Sequence, residues 1–469
     1  MEPPVRAGLV TRRRVLAAIG SSGALCCSSS ACSLPPRRLQ PRTVTVALPE
    51  GSVADGVPYE PLGLALRGSS LSGDARRFSL QPVVVSGWYP RSPPSDEKLH
   101  ALFAAQPPEV VLAPAHSIGS LARAGQLAPL SQFLDRVVLS TWSPSELVAG
   151  ARSLGMVRGQ RWALPLLGVP TVLTAAQGAL EDAGYVDLLH SPKALPWAAF
   201  EELASRLTTR SPAGDLARWG FHPAPYGMPW LAVWIWQNGG SLLDPVTNRV
   251  RSADRAGVEA LAFLMRLVGQ GLTPPLGSSH VTWLPDGQLL APPPNVASQQ
   301  GRVPVATWIA PAHQAFYAPS LAPGRTRPAV RPAQLPQRSD RACLLIPTAL
   351  LAVSRGGAAV PEVRMAALQI ATTLEGSAAL GLPLRHSPLV AWKDRRSRMG
   401  DAATAAQLHA SLESARCEYV EGTVDLVLLL DLAVLEALQQ ETTTTATLEL
   451  SLQAVERRLK RECGVMHCG

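Results

Sequence analysis

Pro107-Pro108-Glu109-Val110-Val111-Leu112-Ala113-Pro114 is the stretch on which the fold turns. Its centre, Glu109 to Ala113, is short, apolar and bounded by proline, as a buried strand is. Ser95 to Ala105 precedes it with Leu99, Leu102 and Phe103 on one helical face. Ser117 to Gly125 follows as a short helix that ends on its glycine. Upstream, Thr43-Val44-Thr45-Val46-Ala47-Leu48 and Gln81-Pro82-Val83-Val84-Val85-Ser86 read as two more strands. Strand, helix, strand, helix is the rhythm of a parallel sheet covered by helices, so the fold class is α/β.

The middle of the chain is helical. Trp197 to Thr208 carries Phe200, Leu203 and Leu207 at helix spacing, and Ala256 to Val268 carries Val258, Leu261, Phe263, Leu264 and Leu267. Between them, Trp230 to Gln237 is an apolar helix that Gly239-Gly240 should stop. Residues 274–340 are proline-rich and read as a loop-like accessory insertion. Order returns at Cys343-Leu344-Leu345-Ile346 and in a helix from Pro361 to Leu374. The run Leu426–Leu438 is interrupted by Asp431 and Glu436 and reads as a buried helix. The last helix, Thr447 to Lys460, places Leu448, Leu452, Val455 and Leu459 on one stripe.

The N-terminus is of a different kind. Thr11-Arg12-Arg13-Arg14-Val15-Leu16 leads into a short, weakly apolar stretch that ends in Ser29-Ser30-Ala31-Cys32. A positive head, a short apolar centre and small residues before a cysteine make an export signal, because a membrane span needs about 20 apolar residues. The paired arginines point to twin-arginine export. The site resembles a lipobox with Cys32 as the acylated residue, and Cys26 and Cys27 are alternatives. Residues 33–42 then suit a tether to the membrane.

Composition limits the rest. The chain has 469 residues, 46% hydrophobic and 17% charged, enough for two or three domains with a large core. Its net charge is +8, of which residues 1–31 hold +3. The remaining mild surplus, without basic runs interleaved with aromatics, does not indicate a nucleic-acid groove. Outside the cytoplasm Cys343, Cys417, Cys463 and Cys468 are able to pair in three ways, among which spacing does not choose. Cys463, His467 and Cys468 lack a second ligand pair for a metal. No nucleophile elbow, H-E-x-x-H, phosphate loop or G-x-G-x-x-G is present, so no enzyme and no cofactor is expected. Tryptophan is the outlier, eleven residues against seven Phe and six Tyr. Most of them suit the core, but flat indole faces also suit the apolar faces of sugar rings.

An ordered series of segments resembles the extracellular solute-binding proteins of bacterial ABC importers, in the sugar-binding branch. The strand at Pro107–Pro114 and then Leu121-Ala122-Arg123-Ala124-Gly125-Gln126-Leu127-Ala128-Pro129-Leu130 resemble that family's "aPDVv … G-x-L-x-P-L". Gly159-Gln160-Arg161-Trp162-Ala163-Leu164-Pro165 resembles its "GK-x-Y-A-L-P" crossover. Pro196 to Leu203 resembles "P-x-T-W-x-E-L", Trp236 to Gly240 its "NGG" segment, and Val258-Glu259-Ala260-Leu261 the helix that follows. Gly381-Leu382-Pro383-Leu384-Arg385 resembles "G-x-x-P-x-R". The series covers about residues 43–460. The chain departs from the family where Glu109 replaces Asp, where Leu173-Thr174-Ala175-Ala176 replaces "Y-Y-N", and where Gly301-Arg302-Val303-Pro304-Val305 replaces "G-K-A-A-M".

The resemblance implies a two-lobe fold of the type II periplasmic-binding-protein kind, each lobe a sheet flanked by helices, with the ligand cleft between them. Lobe 1 is expected over 43–168 and 345–412. Lobe 2 is expected over 169–344, with the insertion at 274–340, and over 413–469. The crossings are expected near Leu166–Thr171, Leu345–Ala349 and Ser411–Cys417. The implied function is binding of a carbohydrate by hinge closure and its delivery to a membrane permease, by a lipid-anchored monomer. A lipid-anchored sensory protein without a transport role and an exported saccharide-acting enzyme are the rival readings. Expected ligand contacts are Trp230 and Trp234, four apart on one helical face, with Trp308, His116, Ser117, Trp162 and Arg385.

Overall fold

The computed structural model describes residues 42–49, 78–85, 95–132, 142–276, 282–291, 302–312, 330–417, 434 and 445–462, except 114, 144, 192, 224–230, 243, 245–249, 284–288, 378–380 and 399–401. The export signal, Cys32, the tether, Trp230, the Leu426–Leu438 run apart from Val434, and the Cys463–Cys468 tail lie outside them. β1 (Arg42–Pro49) pairs in parallel with β2 (Phe78–Val85) and with β3 (Val110–Ala113), as the strand–helix rhythm requires. Between β2 and β3, α1 (Ser95–Ala105) buries Leu99 and Phe103. After β3, α2 (Ala115–Arg123) buries Ile118 and Leu121. Gly125 closes α2 in the left-handed region at φ 68°, and the Gln126 N–H turns back to the Leu121 carbonyl at 3.0 Å.

A small hairpin, β4 (Met156–Val157) with β5 (Gln160–Arg161), leads into β6 (Ala163–Ala176). β6 is an almost unbroken apolar run, ALPLLGVPTVLTAA, buried along its length until Ala176. Such a run belongs in a strand covered on both faces. β13 (Cys343–Val353) lies antiparallel along its first half, and β3 joins the far edge of β13. The sheet thus runs β2-β1-β3-β13-β6.

Beyond β6 the chain forms α3 (Gln177–Asp182), α4 (Trp197–Leu207), β7 (Thr209–Arg210), β8 (Leu216–His222), α5 (Leu231–Gln237) and α6 (Arg255–Gly269). Gly239, at φ 75°, ends α5 as expected, with the Gly240 N–H returning to the Ile235 carbonyl. Four more strands follow: β9 (Thr282–Trp283), β10 (Leu289–Ala291), β11 (Val303–Pro311) and β12 (Val330–Ala333). They overturn the reading of 274–340 as an accessory loop. β11 is a core strand, paired to β6 on one side and β8 on the other, and buried from Val305 onward. Its prolines, Pro304 and Pro311, fall at or next to its ends, and they hid it among the prolines of this stretch.

The chain closes with α7 (Pro361–Ser377), β14 (Leu382–Pro383), α8 (His386–Arg398), α9 (Ala402–Glu413), β15 (Ala415–Arg416) and α10 (Thr445–Glu462). α10 buries Leu448, Leu452 and Val455 as its stripe required. Its Glu456 carboxylate accepts the Ala253 N–H at 2.7 Å, just ahead of α6. α9, expected in lobe 1, packs on α8 of that lobe and reaches further: Gln407 Nε2 donates to the carbonyls of Leu188 (3.2 Å), Leu189 (2.8 Å) and Ser191 (3.3 Å). Gln334, just past β12, donates to the Gln407 carbonyl at 2.6 Å. α9 therefore packs on segments expected in lobe 2.

Two buried clusters dominate the packing. Trp197, Phe200, Phe221, Trp234 and Phe263, from α4, β8, α5 and α6, form one continuous set of ring contacts, with Trp197 stacked on Phe263 at 4.5 Å and Phe200 edge-on to Phe221 at 4.8 Å. The second cluster is ionic. Arg385, just after β14, grips Glu375 of α7, with Nε to Oε1 at 2.8 Å and Nη2 on Oε2, and stacks on the Trp142 ring at 4.3 Å. The two charged side chains are only 19% and 3% exposed. Burial pushes the Glu375 carboxyl above the usual carboxylate range, and the Arg385 guanidinium pulls it back.

Two predictions follow from these clusters. Trp234→Ala should destabilise the fold by about 3–5 kcal/mol, the usual cost of deleting a core tryptophan, measured by urea unfolding. Arg385→Met should cost about 3–5 kcal/mol at neutral pH, because it strands a buried carboxylate. That loss should shrink as pH falls and Glu375 takes a proton, since a carboxyl with a raised folded pKa is best tolerated in acid. Unfolding midpoints from pH 7.5 to 4.5 give the slope.

Candidate ligand cleft and its connecting strands

The geometry converges where β6 changes partners. Residues 163–170 of β6 pair with β13, and residues 171–175 pair with β11. On the same strand, β14 pairs at Gly168 and Leu167, and β12 at 173–176. β15 joins β13 at Cys343 and Leu344. Four segments therefore lie side by side in the order β14-β6-β13-β15. The two expected crossings at Leu166–Thr171 and Leu345–Ala349 face each other here, with Leu345 opposite Pro170 and Ile346 opposite Val169. The third was expected at Ser411–Cys417. β15, within that span, lies beside β13 and packs on the 149–151 segment, while β14 lies beside β6 at the same zone, between α7, which packs on β1 and β13, and α9, which packs on α8, β6 and β12.

Close approach is built into this point. A Cβ on Gly168 would lie 2.8 Å from Leu345 Cδ1 and 3.0 Å from Leu384 Cδ2. A Cβ on Gly381, itself at φ 155°, would meet Thr348 Oγ1 at 2.8 Å and the Gly168 carbonyl at 2.9 Å. β13 is bulged between Pro347 and Leu350, and prolines 165, 170, 347 and 383 punctuate the strands. A ladder interrupted by proline and bulge bends more easily than a continuous one. The Thr348 hydroxyl is enclosed in this bulge without a hydrogen-bond partner.

The flanks are rigid by contrast. The Val148 N–H donates to the Leu384 carbonyl and the His386 N–H to the Glu146 carbonyl, and Arg385 is held by Glu375 and Trp142. On the other side, Cys343 Sγ donates to the Ser411 carbonyl at 3.0 Å, and the Leu344 N–H donates to Thr171 Oγ1 at 3.0 Å. Burial pushes the Cys343 thiol up to about 12, so it is an inert core group. Cys343 forms no disulfide.

The expected contact residues separate on this scaffold. Trp234 is fully buried in the ring cluster, so both indole faces are covered by protein and its reading as a stacking platform is corrected. Trp308 is 2% exposed on β11, packed with Trp219, Leu289 and Val305, and is likewise a core residue. It sits in register between Thr174 of β6 and His222 of β8, both buried. The Thr174 hydroxyl is enclosed without a partner, so the Leu173-Thr174-Ala175 stretch presents no open polar contact. Ser117 is buried in the first turn of α2; His116 lies beside it on the helix, and its side chain is outside the described residues. Trp162 is half-buried against the core between β5 and β6, with its indole N–H enclosed. Arg385 is committed to Glu375 and Trp142. Sequence reasoning missed Trp142, Glu375, Thr348 and Gln407. Only long-range contacts identify them; nothing in their local spacing does. Among the described residues no group of three or more His, Cys, Asp or Glu is arranged to hold a metal.

No protein-family model matches the chain, and no curated protein sequence matches it. Solved structures do. The sugar-binding protein MalE of Xanthomonas citri superposes with a TM-score of 0.64 at 16% identity, covering 91% of this chain and 100% of that one. The GacH receptor of Streptomyces glaucescens, solved unliganded and with acarbose, gives 0.63 at 16%, covering 90% and 99%. Maltose-bound MalE3 of T. maritima gives 0.60 at 18%, again covering 90% and 99%. With the sheet order and the three strands that meet at Gly168 already described, this likeness establishes that the chain has the two-lobe α/β fold of the sugar-binding, MalE-like solute-binding proteins of ABC importers.

Proposed function

We propose that the chain is the extracellular solute-binding component of an ABC importer, which takes up a carbohydrate in an interlobe cleft and presents it to a membrane permease. The observation that carries this is the connecting region: three strands, β6, β13 and β14, pass side by side through a bulged, proline- and glycine-marked zone flanked by rigidly held elements. Ligand that touches both lobes only in the closed state shifts the population toward closure. The neighbours named above support a saccharide, since MalE3 was solved with maltose and the GacH receptor with acarbose. They are binding proteins, which supports a role without catalysis.

Export by the twin-arginine signal and anchoring through Cys32 complete the reading, with the chain acting as a monomer on the outer face of the membrane. Among the described residues no helix is long and apolar enough to cross a membrane. The burial of Trp234 and Trp308 favours a contact set other than tryptophan pairs on the described elements. Trp230, Trp162 and His116 stay in the proposal as ligand contacts, while Ser117, fully buried, is set aside with Trp234 and Trp308. Loss of the polar stretch after the first crossing gives a second reading some weight, a lipid-anchored sensor that binds solute without handing it to a permease.

Thermal unfolding against a panel containing maltose, longer and cyclic maltosaccharides, and acarbose tests the proposal. A ligand at about 100 times its Kd stabilises the native state by about 2.7 kcal/mol, so a true ligand should raise the Tm by several degrees. No shift across a broad saccharide panel would set carbohydrate aside. Trp230→Ala should weaken a binding saccharide roughly tenfold, the equivalent of about 1.4 kcal/mol.

A further inference from the structure

The contact between α8 and α9 gathers titratable groups that the ligand cleft does not use. His386, the first residue of α8, meets Glu413, the last of α9, with Nδ1 and Oε1 3.1 Å apart. Two helices joined by a short link whose outer ends meet run antiparallel. His409 is four residues before Glu413, so the two share one face of α9, and that face is turned toward α8. His409 is half-buried there, opposite Lys393 and His386 of α8. Three groups able to carry positive charge thus lie within electrostatic reach of one another, with Glu413 the carboxylate that acts on His409 and Asp394 of α8 exposed.

The other elements packed on α9 offer no relief. β6 contains no charged residue, and β13 contains no titratable group apart from the inert Cys343 thiol. Arg331 of β12 and His190 of the 188–191 segment are exposed. Burial first, then Lys393, holds the His409 imidazole below its usual range; Glu413 opposes this and His386 adds to it.

We propose that the α8–α9 contact is an acid-responsive element, in which protonation of His409 opposite Lys393 and His386 loosens α9 from the 188–191 segment, β12 and β13. The elements it would release are those α9 holds through Gln407, Ser411 and Gln334. A histidine depressed in the folded state contributes stability that is present above its unfolded value, about 6.5, and is lost as pH falls below that value and through the lowered folded one. The His386–Glu413 pair is more than a third exposed and contributes little against this.

The test is amide hydrogen exchange on the full chain at pH 7.5 and 5.5, corrected for the intrinsic pH dependence of exchange and read over residues 402–413. Wild type should lose protection there several-fold more at pH 5.5 than over β6, which serves as the internal standard. His409→Gln should abolish that difference and Lys393→Met should reduce it. An acid loss of protection that persists unchanged in His409→Gln overturns the proposal, as does equal protection at both pH values in wild type. Should His409→Gln not fold, the titration of the His409 ring followed by NMR in wild type decides: a midpoint below the ordinary histidine range supports the element, and one at or above it overturns the proposal.

Discussion

A fourteen-residue strand with a buried side chain at nearly every position exists only if other strands close both of its edges and other layers cover both of its faces. β6 is that strand, and its backbone polar groups need partners along its whole length. β13 and β14 supply them for the first half, β11 and β12 for the second. No one partner runs the full distance, so the sheet is divided where the partners change. Gly168 stands near that division, with Leu345 and Leu384 pressed against its backbone. The same constraint that satisfies β6 leaves a line across the sheet where few ladder bonds continue, and bending there disturbs the least structure.

The two sides of that line are held by different chemistry. On one side Arg385, Glu375 and Trp142 lock the exit of β14 to α7. The lock has a cost, because Glu375 is buried deeply enough that its charge is tolerated only beside the guanidinium. On the other side α9 is tied by neutral amide and hydroxyl bonds from Gln407, Gln334 and Ser411. Neutral bonds of this kind contribute about 1 kcal/mol each. The aromatic cluster under α5 stiffens the second side, and this is why a tryptophan that looked suited to a ligand is instead a support.

Sequence spacing was enough to locate β1, β3, α1, α2, α4, α6 and α10, because each carries a local period or a cap that follows from its own residues. It was not enough for β11, whose prolines sit at or next to its ends, or for β12, a short edge strand with a proline inside it. The short strand at Leu382-Pro383 went unread because it becomes a strand only through its pairing with β6. The candidate site was legible as a region and not as a set of residues. Trp234 and Trp308 share the composition of stacking residues, and only the packing of Phe200, Phe263 and Trp219 around them distinguishes support from contact. Glu375 and Thr348 carry no local mark at all.

The proposed function requires the β14-β6-β13 zone to act as a hinge that a saccharide closes. Small-angle X-ray scattering, with and without a saccharide already shown to raise the Tm, tests it most directly. Closure gives a smaller radius of gyration and a shorter maximum dimension in the bound form. A saccharide that raises the Tm while leaving the scattering curve unchanged would contradict it.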